Sequence, residues 1–277
     1  MSRAENLLMV ADTDHDANML YAVGIFVPDP FIYLRIRGRP CVVMSDLEID
    51  RARKLAPHCR ALSLVHYQEQ LRKSGIKRPG PAHVIRALFR EKKIRGAAVP
   101  HNFPLGLAAE LKRLHVNVHA TNGNFFPERE QKSPAEVRKI SAALMMAEVG
   151  MSEAMNALRA SKIGKDRRLL YHNVPLTSEK LRAIIDEAIL RANGSASHTI
   201  VAGGKQGCDP HEAGYGPLRA HEPIIIDIFP RSQKTGYFGD ITRTVVRGRA
   251  SEAVASEARS SPSLRRGRPS TTLAAFR

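Results

Sequence analysis

Two short apolar runs, Phe31 to Arg37 and Pro40 to Met44, flank Gly38 and predict a β-hairpin. Asp46 is placed to cap a helix whose apolar positions include Leu47 and Leu55. Further apolar segments at Ala61 to Val65, Ala97 to Val99 and Val116 to Val118 read as strands. Between them Val84, Ile85, Leu88 and Phe89, and then Leu107, Leu111 and Leu114, recur at helical spacing. Strands that alternate with helices predict an α/β (α+β) domain, a mixed or parallel sheet covered by helices, over residues 1–130.

A second pattern starts at Ser133-Pro134-Ala135-Glu136, a capping box with proline at the first helical position. Val137, Ile140, Leu144, Met151, Met155 and Leu158 continue a helical stripe with an expected break at Gly150, the methionines serving as core filler. Thr177 is placed to cap another helix, with Leu181, Ile184, Ile185, Ala188 and Ile189 on one face and its end at Asn193-Gly194. The glycine-rich run Ala202 to Gly207 invites comparison with a phosphate-binding loop. Gln206 after Lys205 breaks that pattern, so a loop bringing backbone close to a substrate is the milder reading. His198 and His221 are expected at turns or strand edges.

The chemistry concentrates in PIIIDIFPRSQKTGYFGDITRT, Pro223 to Thr244, which reads as a second hairpin around the polar turn PRSQKTG. Each apolar run carries one aspartate where a hydrophobic residue is expected. If the hairpin folds symmetrically about Gln233 and Lys234, Asp227 and Asp240 lie directly opposite, with Cβ atoms about 5 Å apart. Carboxylates that close repel unless a proton or cation lies between them, and a metal pair spaced about 4 Å would serve. A turn-capping role is the plainer alternative, but Asp227 follows three isoleucines in mid-strand.

Composition narrows the classes. The 277 residues suffice for two domains, and 43% hydrophobic content is ordinary for a globular chain. No apolar run approaches the roughly 20 residues of a membrane span, and the acidic N-terminal stretch lacks the apolar core of a secretory signal. Cys41, Cys59 and Cys208 show no paired spacing and are expected as reduced thiols of a cytoplasmic protein. The net charge of +16 raises nucleic acid as a partner, but the cations spread over helix faces with little aromatic interleaving, so a solvated basic surface is the expectation.

The phrase GYFGDITRT, with IIIDI before it and DPHEAG around His211, resembles the signature of the Xaa-Pro metallopeptidases of the pita-bread fold, the group of aminopeptidase P, prolidase, creatinase and methionine aminopeptidase. The resemblance in layout runs from about Asp16 to Gly248. It implies a creatinase-like N-terminal domain over 1–130, and a partial pita-bread domain over 131–250. It also implies cleavage of Xaa-Pro peptide bonds by a metal-bridging hydroxide. Asp227 and Asp240 would be metal ligands, Asp240 bridging both ions. His211 would be the catalytic histidine that steadies substrate and tetrahedral intermediate. Two divalent ions are implied, Mn²⁺ by the carboxylate character of the ligands, with Zn²⁺ or Co²⁺ as alternatives. The implied partners are a proline-containing peptide and a second copy in a homodimer, with no membrane and no nucleic acid.

The sequence also departs from that pattern. No histidine follows His221, and only Glu252 and Glu257 follow Asp240, so three of the implied ligands have no counterpart. The spacing between the aspartates is longer than most such enzymes use. Residues 251–277 are rich in Ser, Ala and Arg and are expected to form a disordered basic tail, or to reflect a reading frame that departs near Ser251. The chain as written is accordingly expected to lack peptidase activity. The alternative reading is a pita-bread module that binds a peptide or protein without hydrolysing it.

Overall fold

The strand that organises the first sheet is Leu7–Ala11 (β1), an apolar pentapeptide too short to stand out from the pattern around it. The computed structural model describes residues 5–252, 255, 256 and 273–276, and divides into two units, residues 1–132 and 133–277.

In the first unit β1 leads through Ala17–Val23 (α1) to Phe31–Ile36 (β2) and Arg39–Met44 (β3), the expected hairpin, with Arg37 and Gly38 both at positive φ in its turn. Asp46–Leu55 (α2), Arg60–Ser63 (β4), Leu64–Lys73 (α3), Pro81–Glu91 (α4), Gly96–Val99 (β5), Leu105–Arg113 (α5) and Asn117–Ala120 (β6) follow. The six strands lie in the order β4-β3-β2-β1-β5-β6. Successive residues of β1 serve opposite faces. Leu7 and Met9 join a core with Met19, Val23 and Ala52, while Leu8 joins Val84, Ile85, Leu88 and Leu111. Helices therefore cover both faces, as the α/β pattern predicts. The expected apolar positions of α2 do not hold, since Leu47 is 92% and Leu55 55% exposed. Ser45 takes the N-cap position, so Asp46 moves into the first turn and the inward face falls to Ile49 and Ala52.

The second unit opens with Pro134–Ala160 (α6), whose capping box is present: Ser133 Oγ accepts from Glu136 N–H, and the Glu136 carboxylate accepts from Ser133 N–H at 3.0 Å. Gly150 does not break this helix. A Cβ there would stand 3.1 Å from the side chains of Ile185 and Ile189, so its missing methyl lets the next long helix approach. That helix, Ser178–Arg191 (α7), follows the short strands Lys162–Ile163 (β7), Leu169–Tyr171 (β8) and Val174–Pro175 (β9). Thr177 caps it as expected.

Gly194–Ser195 (β10), Ile200–Gly203 (β11), Pro223–Ile228 (β12), Arg231–Ser232 (β13), Ile241–Arg247 (β14) and Leu273–Phe276 (β15) complete the chain. The last two lie with β11 and β12 in a sheet ordered β11-β12-β14-β15. Ile224, Ile226, Ile228 and Val245 turn one face of it into the core with Leu181, Ile185 and Ile189. The expected basic tail over 251–277 falls largely outside the described residues. Within it, however, Leu273–Phe276 pairs parallel with β14, Thr244 opposite Leu273, where no regular structure was expected. A four-residue strand is too short to show a period in sequence, and its place is set by the β14 edge it completes. His198 and His221 sit at positive φ, the first in a bend and the second in a turn.

Candidate functional site

The two aspartates share a face of the β12–β14 pair, but not as a directly opposed pair. Asp227 lies opposite Thr242, and Ile228 opposite Ile241, so the pairing is shifted by two residues from a turn centred on Gln233 and Lys234. The cause is non-local. β13 pairs with β10, Gly194 opposite Ser232, and Gln233 is tied to that edge through its N–H to Asn193 O at 3.1 Å and its side chain to Gly194 O at 3.3 Å. Gln233 is thereby held out of the turn centre. The chain reverses one residue later, with Ser232 N–H donating to Tyr237 O and Gly236 taking a φ of 72°. A shift of two preserves the face, because side chains alternate with period two. The carboxylates therefore become diagonal neighbours, for which roughly 7–8 Å is the usual spacing.

Asp227 is half-buried and Asp240 exposed. The carboxyl of Asp240 titrates above its ordinary range, first through lost hydration and then through the negative charge of Asp227. Each carboxylate thus lies within the other's field. Asp227 Oδ1 accepts a hydrogen bond of 2.5 Å from the hydroxyl of Thr242, its cross-strand partner. Sequence reasoning passed over Thr242, although its place two residues after Asp240 puts it on the same face.

Asp240 is positioned by the start of α6. Tyr237 donates its hydroxyl to Glu136 Oε1 at 3.2 Å, and Lys139 Nζ stands 5.0 Å from the Tyr237 ring. Gly239 then passes against the backbone of Ala143 and Leu144 so closely that a Cβ would overlap it. The glycine of the GYFGD phrase is thus what lets the hairpin reach its place.

His211 sits on a separate loop held by its neighbours. Ala213 O accepts from Val201 N–H at 3.0 Å, and Arg182 donates to Ala213 O and, at 2.8 Å, to Gly214 O. Gly214, at φ +84°, leaves no room for a Cβ against the Val201 carbonyl. Glu179 accepts from Gly216 N–H at 3.0 Å. Hydrogen bonds from the Thr177 hydroxyl and from Gly216 hold the Glu179 pKa down to about 2. Sequence reasoning missed Arg182 and Glu179, whose roles depend on a loop that follows them by some 30 residues. This pinning sets the loop beside β11, and Ile200 of β11 lies opposite Asp227. His211 itself is exposed, its N–H donating to Asp209 Oδ1 at 2.9 Å, and its ring makes no hydrogen bond among the described residues.

Two carboxylates with unshared oxygens are hard donors suited to a divalent cation. Among the described residues no group of three or more His, Cys, Asp and Glu gathers into a metal-holding cluster. The structure therefore brings Asp227 and Asp240 to one face and does not join His211 to them as a third ligand.

The fold is similar to that of solved Xaa-Pro peptidases over part of their length. The X-Pro aminopeptidase of Thermotoga maritima MSB8 superposes with a TM-score of 0.71 at 17% identity, over 91% of this chain and 65% of that one. The Xaa-Pro dipeptidase of Bacillus anthracis gives 0.70 at 14% identity, over 91% and 63%. The prolidase of Pyrococcus furiosus gives 0.67 at 13%, over 92% and 66%. The chain thus spans just under two-thirds of the length of each. No curated protein matches it in sequence. Residues 138–260, a segment that contains His211, Asp227 and Asp240, match the model of metallopeptidase family M24.

Proposed function

We propose that the chain carries part of a metal-dependent peptidase site for peptides with a Xaa-Pro bond, with Asp227 and Asp240 as metal ligands. The observation that carries this reading is the pair itself: two carboxylates on one face of the M24-matching hairpin, with Asp240 titrating above its ordinary range through lost hydration and then through the charge of Asp227. A divalent ion there would supply the polarisation of a scissile carbonyl and a lowered pKa for water, with Mn²⁺ favoured by the oxygen donors and Zn²⁺ or Co²⁺ as alternatives. Asp227, oriented by Thr242, and Asp240 would hold the cation, which would favour the ionised form of both carboxyls. His211, on its pinned loop, offers an imidazole to donate a hydrogen bond to the substrate.

With no third donor gathered beside them among the described residues, two carboxylates should hold such an ion weakly, so the 277-residue polypeptide is expected to bind Mn²⁺ weakly and to hydrolyse no Xaa-Pro peptide by itself. Calorimetric titration with Mn²⁺ tests the ligand assignment. Asp240→Asn should abolish the binding heat, whereas an unchanged heat in that variant sinks the assignment. Turnover of a Xaa-Pro dipeptide by the purified chain, lost in the same variant, would overturn the inactivity.

A further inference from the structure

The first unit carries a feature unrelated to these aspartates. One end of its sheet gathers the C-terminus of β2 and the N-termini of β1, β3, β4 and β5, because β2 runs against β1 and β3 while β4 and β5 run with their neighbours. Cations stand along that end: Arg60 opens β4, Arg37 and Arg39 flank the β2–β3 turn, and Arg95 precedes β5. Lys92 and Lys93 join them from the end of α4. Two cavities of about 390 and 740 Å³ lie here, sharing Ile36, Arg37 and Lys92 in their walls. Neither is lined by an acidic residue or by Phe, Tyr or Trp, and the larger one carries the His58 imidazole, tied to Ala22 O at 3.0 Å.

Among the described residues Arg37, Arg39, Arg60, Lys93 and Arg95 enter no ion pair, and Lys92 is matched to Glu91 at 2.6 Å. The negative end of the α4 dipole accounts for Lys92 and Lys93, which follow its last turn. It does not account for the four arginines, of which Arg37 lines both cavities, Arg95 the smaller one, and Arg39 and Arg60 the larger one. Arg37, Lys93 and Arg95 in one cavity and Arg37, Arg39 and Arg60 in its neighbour repel one another, with Glu91 offsetting only part of the charge of Arg60 and Lys92, and a polyanion relieves that repulsion.

We propose that this groove binds a linear phosphate polyanion through its phosphates alone. The row from β4 to β5 crosses four strand spacings, about 19 Å, longer than one phosphate group and suited to an extended chain. Arginine forks match phosphate oxygens. The walls hold no Phe, Tyr or Trp and a single imidazole, His58, so a run of bases finds no series of stacking platforms, which favours inorganic polyphosphate over single-stranded nucleic acid. The proposal is independent of the peptidase reading.

The test is calorimetric titration of the full chain with inorganic polyphosphate, beside a single-stranded oligonucleotide and polyglutamate of matched charge. Polyphosphate should bind best, with a log–log salt slope of about −3.5 if five phosphates are neutralised. Arg37→Glu with Arg95→Glu should weaken binding about tenfold or more and flatten the slope. Lys54→Glu with Lys73→Glu, an equal charge change at exposed positions elsewhere in the unit, should alter neither by a comparable amount. Circular dichroism checks the fold, and Arg37→Gln with Arg95→Gln replaces the Glu pair should that pair fail to fold. Equal losses in the groove and control variants overturn the proposal. So does tighter binding of the oligonucleotide, or equal binding of polyglutamate.

Discussion

Asp240 is exposed at the mouth of its hairpin, yet its carboxyl titrates above the usual range. The sign of the consequence follows from linkage. A folded-state value above the unfolded one makes the group stabilising in acid, below its reference value of 3.8, and that contribution disappears as pH rises through the folded value. At neutral pH the ionised side chain is therefore a net cost. Asp240→Asn should raise stability at about pH 7 by on the order of 0.3 kcal/mol, a small amount because solvent screens an exposed charge. The gain should vanish below about pH 3, where the wild-type carboxyl is also neutral. Urea midpoints of both proteins at the two pH values measure this, and a gain that persists in acid would place its origin outside the charge. A divalent cation bound beside Asp240 would reverse the preference by stabilising the ionised form.

At the scale of the elements, the approach of the hairpin to α6 rests on Gly239. Alanine there sets a methyl against the backbone of Ala143 and Leu144, which has no rotamer through which to yield. Gly239→Ala should cost about 3 kcal/mol or more, at the upper end of overpacking effects. Gly106 of α5, where a Cβ meets nothing within 4 Å, should accept alanine with no loss or a gain of up to about 1 kcal/mol. Denaturant unfolding of the two variants checks the contrast, and similar costs would remove the close approach as the cause. The phrase containing Gly239 was legible in sequence as a signature, and so were both capped helices of the second unit, since Ser133, Glu136 and Thr177 act within one turn of themselves. The hairpin register was not legible. It is set by β10, nearly forty residues before Gln233, and local symmetry alone places the turn one residue too early. The faces survived that error because a two-residue shift restores side-chain parity. β1 and β15 were missed for a related reason: strands of five and four residues carry too few alternations to announce themselves, and gain their place from the neighbours they pair with.

For the whole molecule the dominant electrostatic fact is the excess of 43 Lys and Arg over 27 Asp and Glu, a net charge of +16. Self-repulsion of this size opposes the compact state, and dissolved salt screens it. Salt also weakens ion pairs, so the two effects compete. The described pairs are mostly local and exposed, such as Arg53 with Asp50 and Arg191 with Glu187, and pairs of that kind contribute little. Repulsion should therefore win. Raising NaCl from about 0.01 to about 0.15 M shortens the screening length from roughly 30 to 8 Å and should move the urea midpoint upward. The cause can be separated from general salting-out by repeating the titration in alkali. As lysines lose their charge in alkali, the benefit of salt should shrink in step. A midpoint that falls with NaCl at neutral pH would mean that the ion pairs outweigh the excess charge. A rise that persists undiminished in alkali would mean that burial of apolar surface, and not charge, responds to the salt.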